Sequence, residues 1–178
     1  METIDAILTR RSVRQFDNTK EIRREDLEEI IKAAQYAPSA HNMQPWEFLV
    51  VTDKEQMAQL RHVQPWTSFA KEASAVILVC GNVNQSFSRH KEDETWNYSD
   101  IDCSLATENL LLAAHAKGIG ACFCGAAPMP KVISGLQEMF ALPDYIRPLA
   151  IVILGYPKTE PKQPDNRFKP EKIHWEKW

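Results

Sequence analysis

A long apolar segment near the middle of the chain constrains the fold more than any other feature of the sequence. From Asp100 to Lys117 the residues are apolar on nearly every side of a helix, and none of them is proline. Gly118 follows, and a glycine suits the position just after a helix because it adopts left-handed backbone angles without strain. A helix that is apolar all round has to be covered on all sides. We therefore predict that this helix lies in the middle of the fold.

Shorter segments on either side of this helix predict a sheet. Two of them are apolar without interruption, as strands buried on both faces are, and two others have the length and residue types of strands. The predicted strands are Trp46–Val51, Ser74–Cys80, Ile119–Phe123 and Leu149–Gly155. The predicted helices are a short one capped by Thr3, one from Glu25 that Pro38 stops, Lys54–Arg61 and Pro130–Phe140. Strands and helices alternate without a strict βαβ order, which indicates one α+β domain over residues 1–178, a sheet flanked by helices.

Composition excludes several classes of protein. The 21 lysines and arginines are balanced by 24 aspartates and glutamates, which does not favour a nucleic-acid or membrane surface that relies on bulk charge. The four cysteines lie among apolar residues at a spacing that is poor for zinc, so we interpret them as reduced core thiols. The N-terminus has no signal-peptide pattern, and the longest apolar run, residues 75–80, is too short to span a bilayer. We expect a cytoplasmic protein with no nucleic-acid, membrane or metal partner.

A basic cluster follows the first helix. It consists of Arg10, Arg11 and Arg14 around Ser12. Arginine grips phosphate oxygens with a planar fork, and a hydroxyl with neighbouring N–H groups can complete the shell of a dianion. Cations at a helix C-terminus also complement the macrodipole, which is the alternative interpretation of the same residues. The chain has no glycine-rich dinucleotide fingerprint and no P-loop, so any phosphate has to be held in another way.

The loop from Ala37 to Trp46 displays more polar groups than a connection needs. Two prolines stiffen it. Its polar side chains are Ser39, His41, Asn42 and Gln44. A carboxamide can donate to and accept from the edge of a heteroaromatic ring, so we interpret this loop as functional. The alternative is a rigid connection whose polar groups satisfy its own backbone.

Two further segments are open to both a functional and a structural interpretation. The stretch GIGACFCGAAP, residues 118–128, is built of small residues that let a flat ligand approach the backbone, or that serve helix–strand packing. In the tail, Arg167 and Lys169 could close over a phosphate or could be solvated. The tail as a whole, residues 156–178, is rich in proline and lysine and contains two tryptophans that need cover.

Taken together and in this order, these segments resemble the nitroreductase family of flavoproteins. The stretches that carry the resemblance are RRSVRQF (10–16), APSAHNMQPWEF (37–48), DCSLATENLLLAAHAKGIGACF (102–123), LGYP (154–157) and RFKPEKIHWEKW (167–178). The resemblance implies a nitroreductase-like FMN-dependent fold with a mainly antiparallel central sheet. It also implies an obligate homodimer with one flavin mononucleotide (FMN) at each end of the interface and a C-terminal arm, residues 156–178, exchanged across the dimer.

The resemblance also implies roles for individual residues. Those assigned to the flavin phosphate and ribityl chain are Arg10, Arg11, Ser12 and Arg14 near the N-terminus and Arg167 and Lys169 in the tail. Pro38 and Ser39 are assigned to positions that reach the flavin from the partner subunit. Asn42 is assigned to a hydrogen bond with the edge of the isoalloxazine ring, and Gln44 to the support of Asn42. The backbone of Cys124, Gly125 and Ala126 corresponds to the segment near flavin N5, where many longer relatives have Glu-Gly instead.

The implied activity is a ping-pong transfer of hydride from NAD(P)H through flavin N5 to nitroaromatic, quinone or similar electron-poor acceptors, with no catalytic side chain. The alternatives are a specialised relative, such as a reductive dehalogenase or a flavin-fragmenting enzyme, and a flavin-binding sensor or carrier without turnover. Residues 82–98 are a candidate lid over the flavin or an ordinary surface loop, and Phe87 and Trp96 within them are candidates for contact with the substrate. His41 is a candidate for contact with the substrate, or for a structural hydrogen bond.

Overall fold

The computed structural model describes residues 1–87 and 98–178, which form five helices and four strands. The helices are α1 (Thr3–Thr9), α2 (Arg24–Gln35), α3 (Lys54–Val63), α4 (Ser99–Ala116) and α5 (Pro130–Met139). The strands are β1 (Trp46–Val51), β2 (Ala75–Asn82), β3 (Gly120–Gly125) and β4 (Ile146–Gly155). Short 3₁₀ turns lie at residues 40–42, 65–67, 70–72 and 170–172. Thr3 is not the N-cap of α1 as predicted. Glu2 occupies the N-cap position and Thr3 is already helical, so the helix begins one residue earlier.

The four strands form one antiparallel sheet in the order β1-β2-β4-β3. Every residue of β2 is buried, and β4 is buried from Pro148 to its end. The two central strands are therefore covered on both faces, as their uninterrupted apolar sequences predict. This architecture confirms the α+β fold class with an antiparallel sheet flanked by helices.

Helices cover the sheet in two layers. On one face, α2 and α4 pack over inward-pointing residues such as Ile77 and Val152. On the other face, α3 and α5 pack over alternate residues such as Val76 and Leu78. The period-two alternation of strand side chains thus divides the core between the two faces.

The long helix α4 lies against the sheet, but one side of it is open, so it is not covered on all sides as predicted. Gly118 follows it with φ of +74°, which is the left-handed conformation expected after a helix end. The side chains that face the core include Cys103, Ala106, Leu110 and Ala114, all fully buried. Ile101 and Leu105, in contrast, are exposed. Within one chain, therefore, the sheet and α2 cover only part of this apolar helix.

The segment after α1 runs alongside the edge strand β3. Val13 N donates to Ala121 O over 2.9 Å, and Ser12 pairs with Ala121 as a parallel bridge. Phe16 is buried over Gly155, where a β-carbon would lie only 2.8 Å from the ring. Two buried anchors, Val13 and Phe16, therefore fix the position of Arg14 between them.

The cysteines agree with a further expectation from composition. All four cysteines are buried and free, which fits the interpretation as reduced core thiols. Among residues 1–87 and 98–178, no helix combines the length and the apolar character that crossing a membrane requires.

Replacing Gly120 with alanine is expected to destabilise the fold and to disturb the segment that carries Arg14. A β-carbon at this position would lie 2.9 Å from the Cβ of Val13, so the segment has to move away from β3. Overpacking of this kind costs about 1–3 kcal/mol of unfolding free energy, which urea denaturation measures. Gly125→Ala is the matched control, because a β-carbon there would meet nothing closer than 3.6 Å. An equal loss in both variants would contradict the prediction.

Candidate active site

A cavity of about 620 Å³ opens beside the edge strand β3. Its walls are the N-terminal segment, the turn from residue 64 to 69, and β3 itself. The lining residues that matter for chemistry are Arg14, Gln64, Trp66, Cys122, Cys124 and Gly125. The structure therefore brings Arg14 together with two of the three residues predicted to lie near flavin N5.

The other N-terminal residues predicted to bind phosphate lie next to this cavity. Arg10 and Arg11 border a second, smaller cavity of about 170 Å³, together with His115. Arg10 also lies 3.7 Å from the carboxylate of Glu108 on α4. Ser12 is exposed beside β3. The cluster thus follows the edge of the sheet as a line of polar groups and is not gathered around one point.

Gln64 is a residue of this site that the sequence did not reveal. Its side chain is buried, and its Nε2 donates to the backbone oxygen of Gly125 over 2.7 Å. Its Oε1 accepts from Trp66 N over 3.4 Å, so the same amide ties the turn to β3. Ala126, next along the chain, is held by its N–H bond to Leu149 O over 2.8 Å. Gln64 therefore fixes the backbone segment that the resemblance assigns to N5.

Cys122 and Cys124 lie two residues apart on β3, so their side chains point to the same face. The hydrogen bond between the two thiols lowers the pKa of Cys122, and the positive charges of Arg14 and Arg10 act in the same direction against burial. The same hydrogen bond, followed by burial, raises the pKa of Cys124. Each sulfur also donates to a backbone oxygen, Cys122 Sγ to Phe123 O over 3.8 Å and Cys124 Sγ to Trp66 O over 3.6 Å.

A second set of predicted residues lies in the loop before β1. His41, Asn42 and Gln44 all have left-handed backbone angles, with φ between 51° and 56°. Ser39 Oγ accepts from Gln44 N over 3.0 Å, and Gln44 Nε2 donates to Asn42 Oδ1 over the same distance. Gln44 thus contacts Asn42 as expected, while part of the loop's polar content satisfies its own backbone. Pro38, just before this network, is exposed.

The loop is anchored to the beginning of α4 by a buried carboxylate. Ala40 N donates to Asp102 Oδ1 over 3.0 Å, and the Asp102 side chain is only 2% exposed. Burial raises the pKa of Asp102, and the bond from Ala40 opposes that rise. Within the described part of the chain, the second oxygen of Asp102 has no hydrogen-bond partner. An acidic group in the first turn of an apolar helix was the only sequence signal for this residue.

Two of the three residues predicted to contact substrate meet next to the loop. The His41 ring stacks on Phe87 with 3.9 Å between ring centroids and 26° between planes. Phe87 in turn contacts Tyr98, at 5.8 Å. Residues 88–97 of the predicted lid lie outside the described residues, and Trp96, the third candidate, is among them.

The two sets of predicted residues meet α4 at different places. The loop contacts Asp102, whereas the N-terminal segment reaches Glu108 and, through Thr9, His115. Along a helix with a rise of 1.5 Å per residue, these points are separated by roughly 9–20 Å. The predicted tail residues Arg167 and Lys169 are exposed. The chain by itself therefore presents a cavity with Arg14 and a polar loop as two separate surfaces.

The sequence matches the family model described as Nitroreductase family over residues 7–66 and 61–156. The chain belongs to the nitroreductase family. It is 41% identical, over 99% of both chains, to a protein of Archaeoglobus fulgidus provisionally named NADH dehydrogenase/NAD(P)H nitroreductase.

Solved structures of other family members have the same fold. A protein of Parabacteroides distasonis with the same provisional name has a TM-score of 0.89 at 33% identity, covering 99% of this chain and 98% of its own. An FMN-dependent nitroreductase of Clostridium difficile has a TM-score of 0.85 at 26% identity, with coverage of 98% and 99%. The structural similarity extends over nearly the whole of each chain.

Asp102→Asn is expected to increase the unfolding free energy near neutral pH but not in acid. Since burial raises the pKa of Asp102, the folded state binds its proton more tightly than the unfolded chain. Above the pKa that Asp102 has in the folded state, its charged form therefore destabilises the fold. This loss of stability disappears as the pH falls below about 3.9, the ordinary pKa of an aspartate. Asparagine keeps an acceptor for Ala40 N and carries no charge. The variant's gain in unfolding free energy should be largest near neutral pH and vanish in acid.

Asp102→Ala is the companion variant, because it removes the acceptor as well as the charge. It leaves the N–H of Ala40 unpaired, which costs about 1–3 kcal/mol. Denaturant titrations of the three proteins across the pH range separate the two effects. A gain for Asp102→Asn that is independent of pH would contradict the assignment to the carboxylate's charge.

Proposed function

We propose that the chain is an FMN-dependent oxidoreductase that takes hydride from NAD(P)H and delivers it to nitroaromatic, quinone or similar electron-poor acceptors. The observation that carries this proposal is the cavity beside β3, in which Arg14 faces Cys124 and Gly125. Family membership supports it, and so does the similar nitroreductase of Clostridium difficile, which is FMN-dependent.

The residues present fit a flavin. Gly125 has no side chain, and the thiols of Cys122 and Cys124 are small, so a flat ring system can approach the backbone of β3. Arg14 supplies positive charge at the cavity, and Arg10, Arg11 and Ser12 continue along the adjacent edge. In our proposal these N-terminal groups bind the phosphate and ribityl chain, and the backbone of residues 124–126 lies near the ring.

When bound, FMN would supply the redox chemistry, a ping-pong transfer of hydride from NAD(P)H to the acceptor. The chain itself orients the reactants and sets the local electrostatics. Gln64 holds the carbonyl of Gly125 in place, so the neighbouring backbone cannot turn away from the cavity. The guanidinium of Arg14 is positioned to favour negative charge that develops in the cavity. Trp66 is exposed at the same cavity and offers a flat apolar surface.

Exposed apolar residues on α1 and α4 support a homodimer. Ile4 and Leu8 are 65% and 64% exposed, and Ile101 and Leu105 of α4 are also exposed. Helices α1 and α4 pack on each other, so these exposed residues lie on neighbouring helices. Exposed apolar residues on neighbouring helices are typical of protein interfaces. We propose that a second copy covers it, which brings the loop with Ser39 and Asn42 to the partner's flavin.

The C-terminal arm supports the same assembly. Trp178 is fully exposed, and Phe168 and Trp175 are mostly exposed. The edge strand β1 pairs only with β2 within the described residues, and a groove of about 350 Å³ lies between β1 and α2. We propose that the arm crosses to the partner subunit, buries its aromatic rings there and places Arg167 and Lys169 near the partner's phosphate.

The visible absorption spectrum of the purified protein tests the function directly. Flavin bands that bleach under anaerobic addition of NADH or NADPH, and return when a nitroaromatic or quinone is added, are the expected result. Flavin that stays oxidised with both nicotinamides would indicate a sensor or carrier. A colourless protein that cannot be reconstituted with FMN would overturn the proposal.

Arg14→Ala is expected to weaken FMN binding by about 10- to 150-fold. A hydrogen bond to a charged group contributes about 1.5–3 kcal/mol, which corresponds to that range. Titration of flavin-free protein with FMN, followed by flavin fluorescence, gives the dissociation constant. Arg61→Ala is the matched control, because Arg61 is an exposed arginine at the end of α3 and does not line the cavity. Equal weakening in both variants would show that net charge, not position, determines the affinity.

Deleting residues from 158 onward is expected to abolish dimerisation and flavin retention. The deletion removes the exposed aromatic residues of the arm while leaving β4 intact. Analytical ultracentrifugation gives the oligomeric state, and the ratio of flavin to protein absorbance gives the cofactor content. A stable truncated monomer that stays yellow would contradict the role of the arm.

A further inference from the structure

The residues that line the cavity beside β3 fall into two groups that differ in exposure. The buried group, which we call the floor, consists of Gln64, Cys122 and Cys124. The exposed group, which we call the rim, consists of the large apolar side chains of Trp66, Phe123 and Met129. Trp66 is the most exposed of the six, at 79%. The cavity thus has a floor of small or polar groups and a rim of apolar groups that a ligand can still contact.

The backbone of Trp66 is tied to β3 on both sides of the residue. Its N–H donates to Gln64 Oε1 over 3.4 Å, and the same amide donates to Gly125 O over 2.7 Å. Its carbonyl oxygen accepts from Cys124 Sγ over 3.6 Å. Pro65, just before it, restricts the backbone further. The main chain of Trp66 is therefore fixed at the floor, although its indole is not packed into the core.

The rim gathers exposed apolar side chains from separate parts of the chain. Trp66 belongs to the turn after α3, Phe123 to β3, and Met129 to the segment after β3, where its N–H donates to Ala126 O over 2.9 Å. Single exposed apolar residues are common on protein surfaces, but several around one cavity are typical of ligand sites. The rim therefore favours contact with an apolar part of a ligand.

An indole on a fixed backbone suits a flat, electron-poor ring. The face of an indole carries negative potential, and aromatic rings prefer offset stacking with the ring centroids about 4.5–7 Å apart. Electron-withdrawing groups such as nitro or quinone oxygens deplete the face of a ring, which strengthens this attraction. Tryptophan loses little conformational entropy on binding, and its backbone is ordered before the ligand arrives.

We propose that Trp66 is an acceptor-binding residue whose indole stacks on planar, electron-poor rings and so favours them over non-planar acceptors of similar size. The inference rests on the proposed function, because it requires FMN in this cavity. In that proposal the flavin ring lies near the backbone of residues 124–126, at the floor. A second flat molecule laid over the flavin then reaches the rim, where Trp66 is exposed.

Equilibrium binding to the oxidised, FMN-loaded protein tests the stacking without turnover. The probes are nitrobenzene and nitrocyclohexane, which share the nitro group and the number of carbon atoms but differ in planarity. Perturbation of the flavin absorption spectrum gives each dissociation constant. Trp66→Leu should weaken nitrobenzene binding by about 5- to 150-fold, the range found when an aromatic partner of a stacked nucleobase is removed. Binding of nitrocyclohexane should change much less, because leucine keeps an apolar contact.

Two further variants make the binding test specific. Trp66→Phe keeps a flat ring and should retain most of the affinity for nitrobenzene. Tyr36→Ala is the matched control, because Tyr36 is also 79% exposed but does not line the cavity. An equal loss of both probes in Trp66→Leu would show that apolar area, not stacking, determines the affinity, and would overturn the proposal. Unchanged affinity for nitrobenzene would overturn it as well.

Steady-state kinetics locate the effect within the reaction cycle. In a ping-pong cycle, kcat/KM for each substrate reports on its own half of the reaction. Trp66→Leu should lower kcat/KM for nitrobenzene through a higher KM, because binding is lost without a change in the reacting groups. The value for NADH or NADPH should stay the same. An equal fall in both values would show that Trp66 does not act on the acceptor alone, and would overturn the proposal.

Two measurements on the same variant separate the inference from the proposed function. Analytical ultracentrifugation and the ratio of flavin to protein absorbance should match the parent protein. Loss of the dimer or of flavin in Trp66→Leu would assign the indole to the interface or to the cofactor and overturn the inference. Normal FMN content and reduction by NAD(P)H, with unchanged affinity for nitrobenzene, would support the function and overturn only the inference. A parent protein that binds no FMN would overturn the function, and the inference with it.

Discussion

Burial of the β2–β4 pair on both faces is the constraint from which the rest of the structure follows. Two uninterrupted apolar strands side by side can be stable only if helices cover both surfaces, and α4 with α2 and α3 with α5 provide this cover. The two remaining strands are then left at the edges of the sheet. An edge presents unpaired backbone groups that need a partner. On the β3 side the N-terminal segment supplies that partner, and the candidate site lies at this junction.

Much of the fold could be predicted from the sequence because its signals are local. Strand β1 has the predicted bounds, and α4 is displaced from its prediction by one residue. Strand β4 begins three residues earlier than the apolar run indicated, because Arg147 and Pro148 interrupt the pattern. The sheet accommodates Pro148 by a register shift opposite Val79 and Cys80. Proline is tolerated within a strand at such an irregularity, which pattern alone does not reveal.

The candidate site could be predicted only in part, because its decisive contacts join distant segments. Spacing and resemblance pointed to Arg14 and to Cys124–Ala126 separately, and the structure places Arg14 with Cys124 and Gly125 at one cavity. The bond from Gln64 to Gly125 spans 61 positions of the chain, and nothing about a glutamine before Pro65 predicts it. The effect of Arg14 on Cys122 likewise depends on how the N-terminal segment lies along β3. Such pairs are set by tertiary packing, not by sequence periodicity.

The loop before β1 presents polar groups on a surface that is separate from the cavity beside β3. Three non-glycine residues in left-handed conformations cost roughly 1–3 kcal/mol each, so the loop keeps this shape only because other contacts enforce it. The bonds of Gln44 to Ser39 and Asn42 fix it from within, and Asp102 fixes it to α4. The conformational entropy of the loop is therefore lost during folding, so ordering the loop does not reduce the affinity of a later binding event. The loop contacts α4 at Asp102, whereas the N-terminal segment reaches α4 at Glu108 and His115. We therefore propose that this rigid loop serves a flavin bound by another subunit. Recognition of the ring edge is then a property of the proposed dimer, and a folded monomer would retain the loop's shape without its target.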